Sequence, residues 1–247
     1  MLTAEATDAA NNTAGIGAVG SGYDDTFFGS EGNDVINGGG GWNVLMDGSK
    51  VWSATQGMDV VDYGWATHSM QVNLQSGVAV GMGNDTLKNI EGLKGGFFAD
   101  AFSDNAANNQ LEGRGGNDVF FLVGGGNDTL KYGMYAHDAT GGNDHDMVLG
   151  FTVGNLLDNA NADRIDLSEV LGYNGPVGLH QDAGVLKLDA ASQGLLDYIN
   201  TSVVGNDTVI SIDRDGSGSQ FGFTDVVTLN GVNTDLLSLL QNHQLVV

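Results

Sequence analysis

The stretch Gly113–Leu130, GRGGNDVFFLVGGGNDTL, contains one phrase twice: glycines, then Asn-Asp, then a large apolar residue two positions after the acid. The acids are Asp118 and Asp128, and the apolar residues are Phe120 and Leu130. One Gly-Asp pair is an ordinary turn, because glycine reaches positive φ at little cost. A fixed period is a different matter. Aligned on the acid, Asp100, Asn109 and Asp118 fall nine residues apart, as do Phe102, Leu111 and Phe120. Upstream, Asp25, Asp34 and Asn43 keep the same step, with Phe27, Ile36 and Leu45 two residues after each. One inserted residue displaces the unit VGGGNDTLK, and nine-residue steps from Asp128 then reach His137 and Asp146. A weaker copy, GMGNDTLKN, holds Asp85 and Leu87.

A period of nine in the form G-G-x-G-x-D-x-U-x, with U apolar, is the signature of a calcium-binding parallel β-helix. The physical reason is simple. A short x-U-x strand points U inward and its neighbours outward, and glycines turn the chain. Two units make one coil, so loops on one edge lie two units apart in sequence and stack at a strand spacing of about 4.8 Å. Carboxylates that close repel. A Ca²⁺ between successive loops reverses the sign, since it takes about 6–8 oxygens at about 2.3–2.6 Å. The expected fold is therefore all-β: a parallel β-roll (β-solenoid) of nonapeptide repeats, with flanking β-rich capping segments and a few short helices. Several calcium ions are expected. The candidate side-chain ligands are Asp25, Glu31, Asp34, Asp85, Asp100, Asn109, Asp118, Asp128, Asp144 and Asp146. The candidate loop glycines are Gly20, Gly22, Gly29, Gly32, Gly113, Gly115, Gly116, Gly125 and Gly126. The spacing pairs Asp100 with Asp118, Asp128 with Asp146, and Asp25 with Asn43. Asp34 would look to Trp52, which ligates nothing, or to the nearby Asp47-Gly48.

Composition bounds the partners. The chain has 247 residues, 31 acids against 8 bases, a net charge of −23, 40 glycines, 1 proline and no cysteine. Nucleic acid is excluded as an expected partner, because phosphate binding needs clustered Lys and Arg. Collagen is excluded by the scarcity of proline. Disulfides and thiolate metal sites are excluded by the absence of cysteine. No apolar run approaches the ~18 residues of a membrane span, so no membrane insertion is expected. The N-terminal MLTAEATDAA carries no basic-then-apolar segment of the Sec type. A monomer is expected.

These units resemble the RTX (repeats-in-toxin) nonapeptides of bacterial proteins exported by type I secretion. Asn43, Asn109 and His137 depart from the family's aspartate, and calcium there is expected to be weaker. The segment GMDVVDYGWATHSMQVNLQSGVAVGMGNDTLKNIEGL is similar to one found between RTX blocks, where an aspartate-bearing strand precedes a hairpin and an NIEG strand. Strands are expected at 60–63, 70–74 and 78–80. Leu93 lies nine residues before Phe102, so NIEGL already keeps the solenoid phase. Trp42, Trp52 and Trp65 lie near this insertion and are read first as aromatics capping a solenoid end, with a sugar-binding surface as the alternative. Residues 1–149 are thus read as the roll, with repeat blocks at about 20–46 and 80–149, and residues 150–247 as a C-terminal domain.

In that domain ADRIDLSEVLG suggests a strand and a short helical turn capped by Ser168. GLLDYINTS places Leu195, Leu196 and Ile199 at helical spacing, and GNDTVISIDRDGSG and DVVTLNGV read as strands. NTDLLSLLQNHQLVV reads as a capped apolar helix running into a terminal strand. The order of these motifs resembles the type I secretion C-terminal target domain of large RTX adhesins. The resemblance implies an uncleaved export signal, a type I transporter as partner and a secreted, extracellular or cell-surface location. Asp213 and Asp215 open like a calcium loop, but Thr224 stands where an EF-hand needs Glu, so a turn is the better reading. No HExxH, GxSxG or Walker lysine occurs, and the chain is read as non-enzymatic. The reading is a calcium-binding module at the C-terminal end of a bacterial surface adhesin. The alternatives are the secretion tail of an RTX hydrolase and a carbohydrate-binding adhesin module.

Overall fold

The computed structural model describes residues 3–4, 17–21, 23–30, 32–39, 41–44, 50–53, 57–133 and 144–247. Two large sheets carry the fold. The first is wholly parallel and runs Thr3–Ala4, Thr26–Phe28, Val60–Asp62, Gly92–Lys94, Gln110–Glu112, Thr129–Lys131, Arg164–Asp166, Leu245–Val246. The second runs Gly17–Val19, Val35–Asn37, Asn84–Lys88, Val78–Val80, Gln71–Asn73, Ala101–Ser103, Val119–Phe121, Asp146–Leu149, Thr224–Asn230, Asp207–Ile212, Ile199–Val204. Between Gly92 and Leu149 the chain alternates between the sheets, strand by strand, and this is the coil of a β-solenoid.

The nine-residue pattern explains the strands. Eight are three residues long with only the middle one buried, among them Thr26–Phe28, Ala101–Ser103, Val119–Phe121 and Thr129–Lys131. The buried residues stack in register. In the first sheet Phe27, Val61, Leu93, Leu111, Leu130, Ile165 and Leu245 form one column. In the second, Val72, Phe102, Phe120, Val148 and Leu229 form another, with Phe102 and Phe120 edge to face at 6.0 Å. Both columns belong to one hydrophobic core.

Segments without glycine repeats fit the same frame. The strands expected at 60–63, 70–74 and 78–80 form as Val60–Asp62, Gln71–Asn73 and Val78–Val80. The last two pair antiparallel with each other, and Asn84–Lys88 pairs antiparallel with Val78–Val80. This meander lies within the second sheet, between Val35–Asn37 and Ala101–Ser103. Gly92–Lys94 is the NIEGL strand. Beyond residue 150, Arg164–Asp166, Thr224–Asn230 and Leu245–Val246 continue the two sheets.

Some local readings are corrected. Gly41–Val44 is not a further coil but half of an antiparallel hairpin with Lys50–Ser53, in which Trp42 is opposite Trp52. Ser168 caps no helix; its N–H and hydroxyl donate to the Asp166 carboxylate at 3.1 and 2.6 Å in a turn. Leu195 and Leu196 lie in a 3₁₀ turn, Gln193–Asp197, whereas Ile199 opens a strand. At the C-terminus the helix Leu236–Gln241 forms as read. The Asp235 carboxylate accepts the Ser238 N–H at 2.8 Å, and Leu236, Leu239 and Leu240 are buried. Asp215 accepts the N–H groups of Gln220 and Phe221 at 2.9 and 3.2 Å, which makes a turn of that loop.

Phe120 sits in the middle of its column and is 1% exposed, whereas Leu157 is 77% exposed. Phe120→Ala is expected to destabilise the calcium-loaded protein by about 3–5 kcal/mol, and Leu157→Ala by about 0.5 kcal/mol or less. Denaturant unfolding of both variants measures this.

Candidate metal centre

The strand pattern sets an acid two residues before most inward apolar residues, where the loop enters the sheet. On the first edge this position holds Asp25, Asp59, Glu91, Asn109, Asp128 and Asp163, all buried. On the second edge it holds Asp34 and Asp85, then Asp100, Asp118 and Asp146, also buried. Each column is knit by one kind of bond. The Asp25 N–H donates to Asp59 Oδ1 at 2.9 Å, that of Asp59 to Glu91 Oε2 at 3.1 Å, and that of Asn109 to Asp128 Oδ1 at 2.8 Å. The Asp128 N–H donates to Asp163 Oδ1 at 3.2 Å. On the other edge Asp34 donates to Asp85 at 2.9 Å, Asp100 to Asp118 at 2.7 Å and Asp118 to Asp146 at 2.8 Å. Carboxylates therefore stand one strand apart, with one oxygen each spent on the neighbouring backbone.

The second oxygen turns toward the residue's own loop. Asp25 Oδ2 accepts the Ser21 hydroxyl at 2.9 Å, Asp34 Oδ2 the Ser30 hydroxyl at 2.8 Å, and Asp100 Oδ2 the Gly96 N–H at 3.0 Å. Asp118 Oδ2 is buried with no hydrogen-bond partner. Asp85 Oδ2 accepts the Tyr63 hydroxyl at 2.9 Å from across the core. The glycines leave room just here. A methyl on Gly113 would overlap Asp118 Oδ2, and one on Gly95 would overlap Asp100 Oδ2 and crowd the Gly113 carbonyl. On the first edge a methyl on Gly20 would overlap the Gly38 carbonyl and crowd Asp25 Oδ2. One on Gly38 would overlap the Asn89 carbonyl and Asp59 Oδ2. At Gly20, Gly38 and Gly95 a carboxylate oxygen and a carbonyl oxygen converge beside a bare Cα.

Electrostatics make these edges costly without a counter-ion. Burial pushes the Asp59 carboxyl up to about 7 and that of Asp85 up to about 6. Burial, and then the carboxylate of Asp146, pushes Asp118 up; burial raises Asp128 and Asp146 as well. The strongest charges acting on Asp59, Asp118, Asp128 and Asp146 are other carboxylates. The donors are all oxygen, which suits a hard cation such as Ca²⁺. Among the described residues no three His, Asp or Glu side chains gather as one cluster; the ligand set is carboxylates of adjacent coils completed by carbonyls. Asp100, Asp118 and the Gly113 carbonyl would hold an ion on the second edge, and Asp25, Asp59 and the Gly38 and Asn89 carbonyls on the first. A bound calcium would supply the positive charge that both columns lack.

The placement of the expected ligands is mixed. Asp100 and Asp118 are stacked as read, 18 residues apart. Asp128 does not meet Asp146. Asp128 lies on the first edge against Asp163, and Asp146 lies on the second against Asp118. The physical reason is parity: after Thr129–Lys131 in the first sheet the next strand in the second is Asp146–Leu149, directly beside Val119–Phe121, so two nine-residue steps carry the chain across once. His137 lies outside the described residues. Asp25 faces Asp59 rather than Asn43, and Asp34 faces Asp85 rather than Trp52; Asp47 and Gly48 lie outside the described residues. The intervening hairpin takes Asn43 out of the coil. Asn109 donates its side-chain amide to the Glu91 carbonyl at 3.2 Å. Asp144 is exposed and accepts the Gly116 N–H at 2.8 Å.

Among the glycines, Gly20 and Gly113 line the oxygen cradles, whereas Gly29 makes room for the Tyr63 ring. Gly32, Gly116, Gly125 and Gly126 hold positive φ. Gly115 donates its N–H to the Gly96 carbonyl at 3.1 Å. Gly22 and Glu31 lie outside the described residues. Asp59, Glu91 and Asp163 were missed as ligands because no glycine run precedes them. The signal that could have found them is the acid two residues before Val61, Leu93 and Ile165.

With this geometry in view, comparison with known proteins is decisive for the repeats. The family model of the RTX calcium-binding nonapeptide repeat matches in four copies, over residues 19–46 and 94–130. The chain carries an RTX module. No curated protein matches the chain. The matched RTX stretches cover only part of the solenoid. The coils through Val61, Val148 and Ile165 lie outside them yet continue the same columns.

A pH dependence follows for the calcium-free RTX module. Carboxyls raised in the folded state bind more protons folded than unfolded, so their contribution is greatest near the ordinary carboxylate range and is lost as pH rises. For Asp59 that loss runs from 3.8 to about 7. In chelator, the melting temperature is expected to fall between about pH 5 and pH 8. With saturating calcium the fall is expected to vanish, because the cation displaces the protons. Thermal melts at both pH values, with and without chelator, measure this.

Proposed function

We propose that this RTX module is a calcium-triggered folding unit of an exported protein, placed at the C-terminal end of a bacterial surface adhesin and itself without catalytic activity. The observation that carries this reading is the pair of buried carboxylate columns whose strongest neighbouring charges are also negative. A chain built this way resists folding where calcium is scarce and folds where it is abundant. A calcium concentration about twenty-fold above Kd stabilises each site by about 1.8 kcal/mol. A handful of such sites is comparable with the net stability of a domain, about 5–15 kcal/mol. At sub-micromolar calcium this contribution disappears, and an unfolded chain suits passage through a secretion channel.

The export part of the proposal rests on the resemblance of the C-terminal segment to a type I target domain. The same segment has a structural role, since Leu245–Val246 pairs with Arg164–Asp166 and Gln244 is fully buried. A signal read before folding and a strand that closes the folded sheet are compatible uses of one sequence. Among the described residues no helix is long and apolar enough to cross a membrane. A second reading, glycan binding, is supported by Trp65, which is 79% exposed, with the half-exposed Phe97 and Phe98 on the adjacent loop.

Circular dichroism of the chain in chelator is expected to show a weakened β spectrum and a lowered melting temperature, both of which added calcium restores; a spectrum and melting temperature indifferent to chelation would contradict the proposal. In cells carrying a matching type I transporter, deletion of Asn233–Val247 is expected to abolish export, whereas deletion of Gly20–Met46 leaves it intact. Export of the C-terminal deletion at the intact level would overturn the export reading alone.

A further inference from the structure

One joint in the solenoid is built differently from its neighbours. On the second edge, Asp34 meets Asp85, and Asp100 and Asp118 each meet an acid one coil on. The loop after Val60–Asp62 offers no acid at that position: the residue is Met70, whose N–H donates to Asp100 Oδ1 at 2.7 Å. A joint with a single carboxylate is a poor seat for a divalent cation. It is also the joint into which the chain inserts a guanidinium.

Arg114 occupies a glycine-like slot in GRGGND and takes φ +72, a conformation that L side chains rarely adopt. From there it reaches back over the neighbouring coil. Nη1 and Nη2 donate to the two oxygens of Asp62, both at 2.8 Å, and Nη1 also donates to the Gly95 carbonyl at 3.0 Å. Nε lies 3.9 Å from Glu112, which pairs with Lys94 at 3.2 Å. The side chains of Arg114, Asp62 and Glu112 are 16%, 14% and 10% exposed. A methyl on Gly64 would overlap Nη1, and the Gly64 N–H donates to Asp62 Oδ1 at 2.8 Å. The absent Cβ of Gly64 thus makes room for a guanidinium. The bidentate fork onto a carboxylate, with a carbonyl as third acceptor, is a strong charge-assisted arrangement.

We infer that Arg114 is a built-in cation, which takes the place of a metal ion on the second edge between the coils of Val61 and Leu93, where Met70 stands beside Asp100, and decides that this joint closes without calcium. A solenoid is stabilised by nearest-neighbour interfaces and propagates from any stable one. This second-edge joint is then the calcium-independent nucleus onto which the remaining coils add as ions bind. This inference rests on the calcium reading for the other joints.

Hydrogen exchange of the full chain, read by mass spectrometry in chelator and in calcium, separates the two. The reporters at the Arg114 joint are the amides of Tyr63 and Ala101, bonded to the Lys94 and Met70 carbonyls at 2.8 Å. The reporters at metal-type joints are Val119 and Met147, bonded to Asp100 and Asp118 carbonyls at 2.9 Å. In chelator, Tyr63 and Ala101 are expected to exchange at least about tenfold more slowly than Val119 and Met147, a factor that corresponds to about 1.4 kcal/mol; calcium closes the gap. Arg114→Gln is expected to erase the difference, and Arg114→Lys, which keeps the charge, to retain more of it. Equal effects of Gln and Lys, or none from either, would overturn the assignment. Calcium-dependent protection at all four amides would overturn the Arg114 assignment alone. Calcium-independent protection at all four would overturn the calcium reading, and with it the special status of this joint.

Discussion

Carboxylates stacked at the strand spacing along both edges of a parallel solenoid repel one another, and burial deepens that repulsion. The coils cannot be brought further apart, because the same spacing is set by backbone hydrogen bonds and by the apolar column that runs from Phe27 to Leu245. Hydrophobic stacking and edge repulsion therefore act on the same joints with opposite sign. The apolar contribution is fixed by the sequence, whereas the electrostatic one depends on the cations present. Folding is expected to follow calcium for that reason.

The repeat was legible because its period is a physical property of the coil. Every acid in phase with a glycine run entered one of the two columns, and the apolar residue two places later entered the core. Legibility failed where the chain departs from two units per coil. Between Asp25 and Asp59 it makes an excursion through the hairpin of Trp42 and Trp52, and between Asp34 and Asp85 it adds the meander of Gln71–Lys88. Such excursions change which acids become neighbours without leaving a mark in the acids themselves. The pairing of Asp118 with Asp146 across 28 residues is of this kind.

The missed positions have a different cause. Asp59, Glu91 and Asp163 carry the acid-x-apolar part of the pattern without glycine, because a loop need not follow the repeat consensus to deliver an acid to the edge. Arg114 is the converse case. It stands inside a repeat where glycine is expected, and its partner Asp62 lies 52 residues away. No local pattern connects the two; only the stacking of coils does. Charge is distributed accordingly: Lys94 and Lys131 on first-sheet strands and Arg114 in its loop pair with acids outside the two columns, Glu112, Glu169 and Asp62.

A carboxylate in either column is expected to be harmful to the calcium-free fold and useful to the loaded one. Asp118 is the sharpest place to test it, since Oδ1 accepts a backbone N–H and Oδ2 is buried without a partner. Asp118→Asn keeps the first bond and removes the charge. Denaturant unfolding at neutral pH is expected to find this variant more stable than the parent in chelator and less stable in saturating calcium. Asp182→Asn, at an exposed ion pair with Lys187, serves as the control and is expected to shift either state by about 1 kcal/mol or less. A reversal of sign for Asp118→Asn between the two conditions is the predicted result. The same sign in both, or no change in either, would contradict the account.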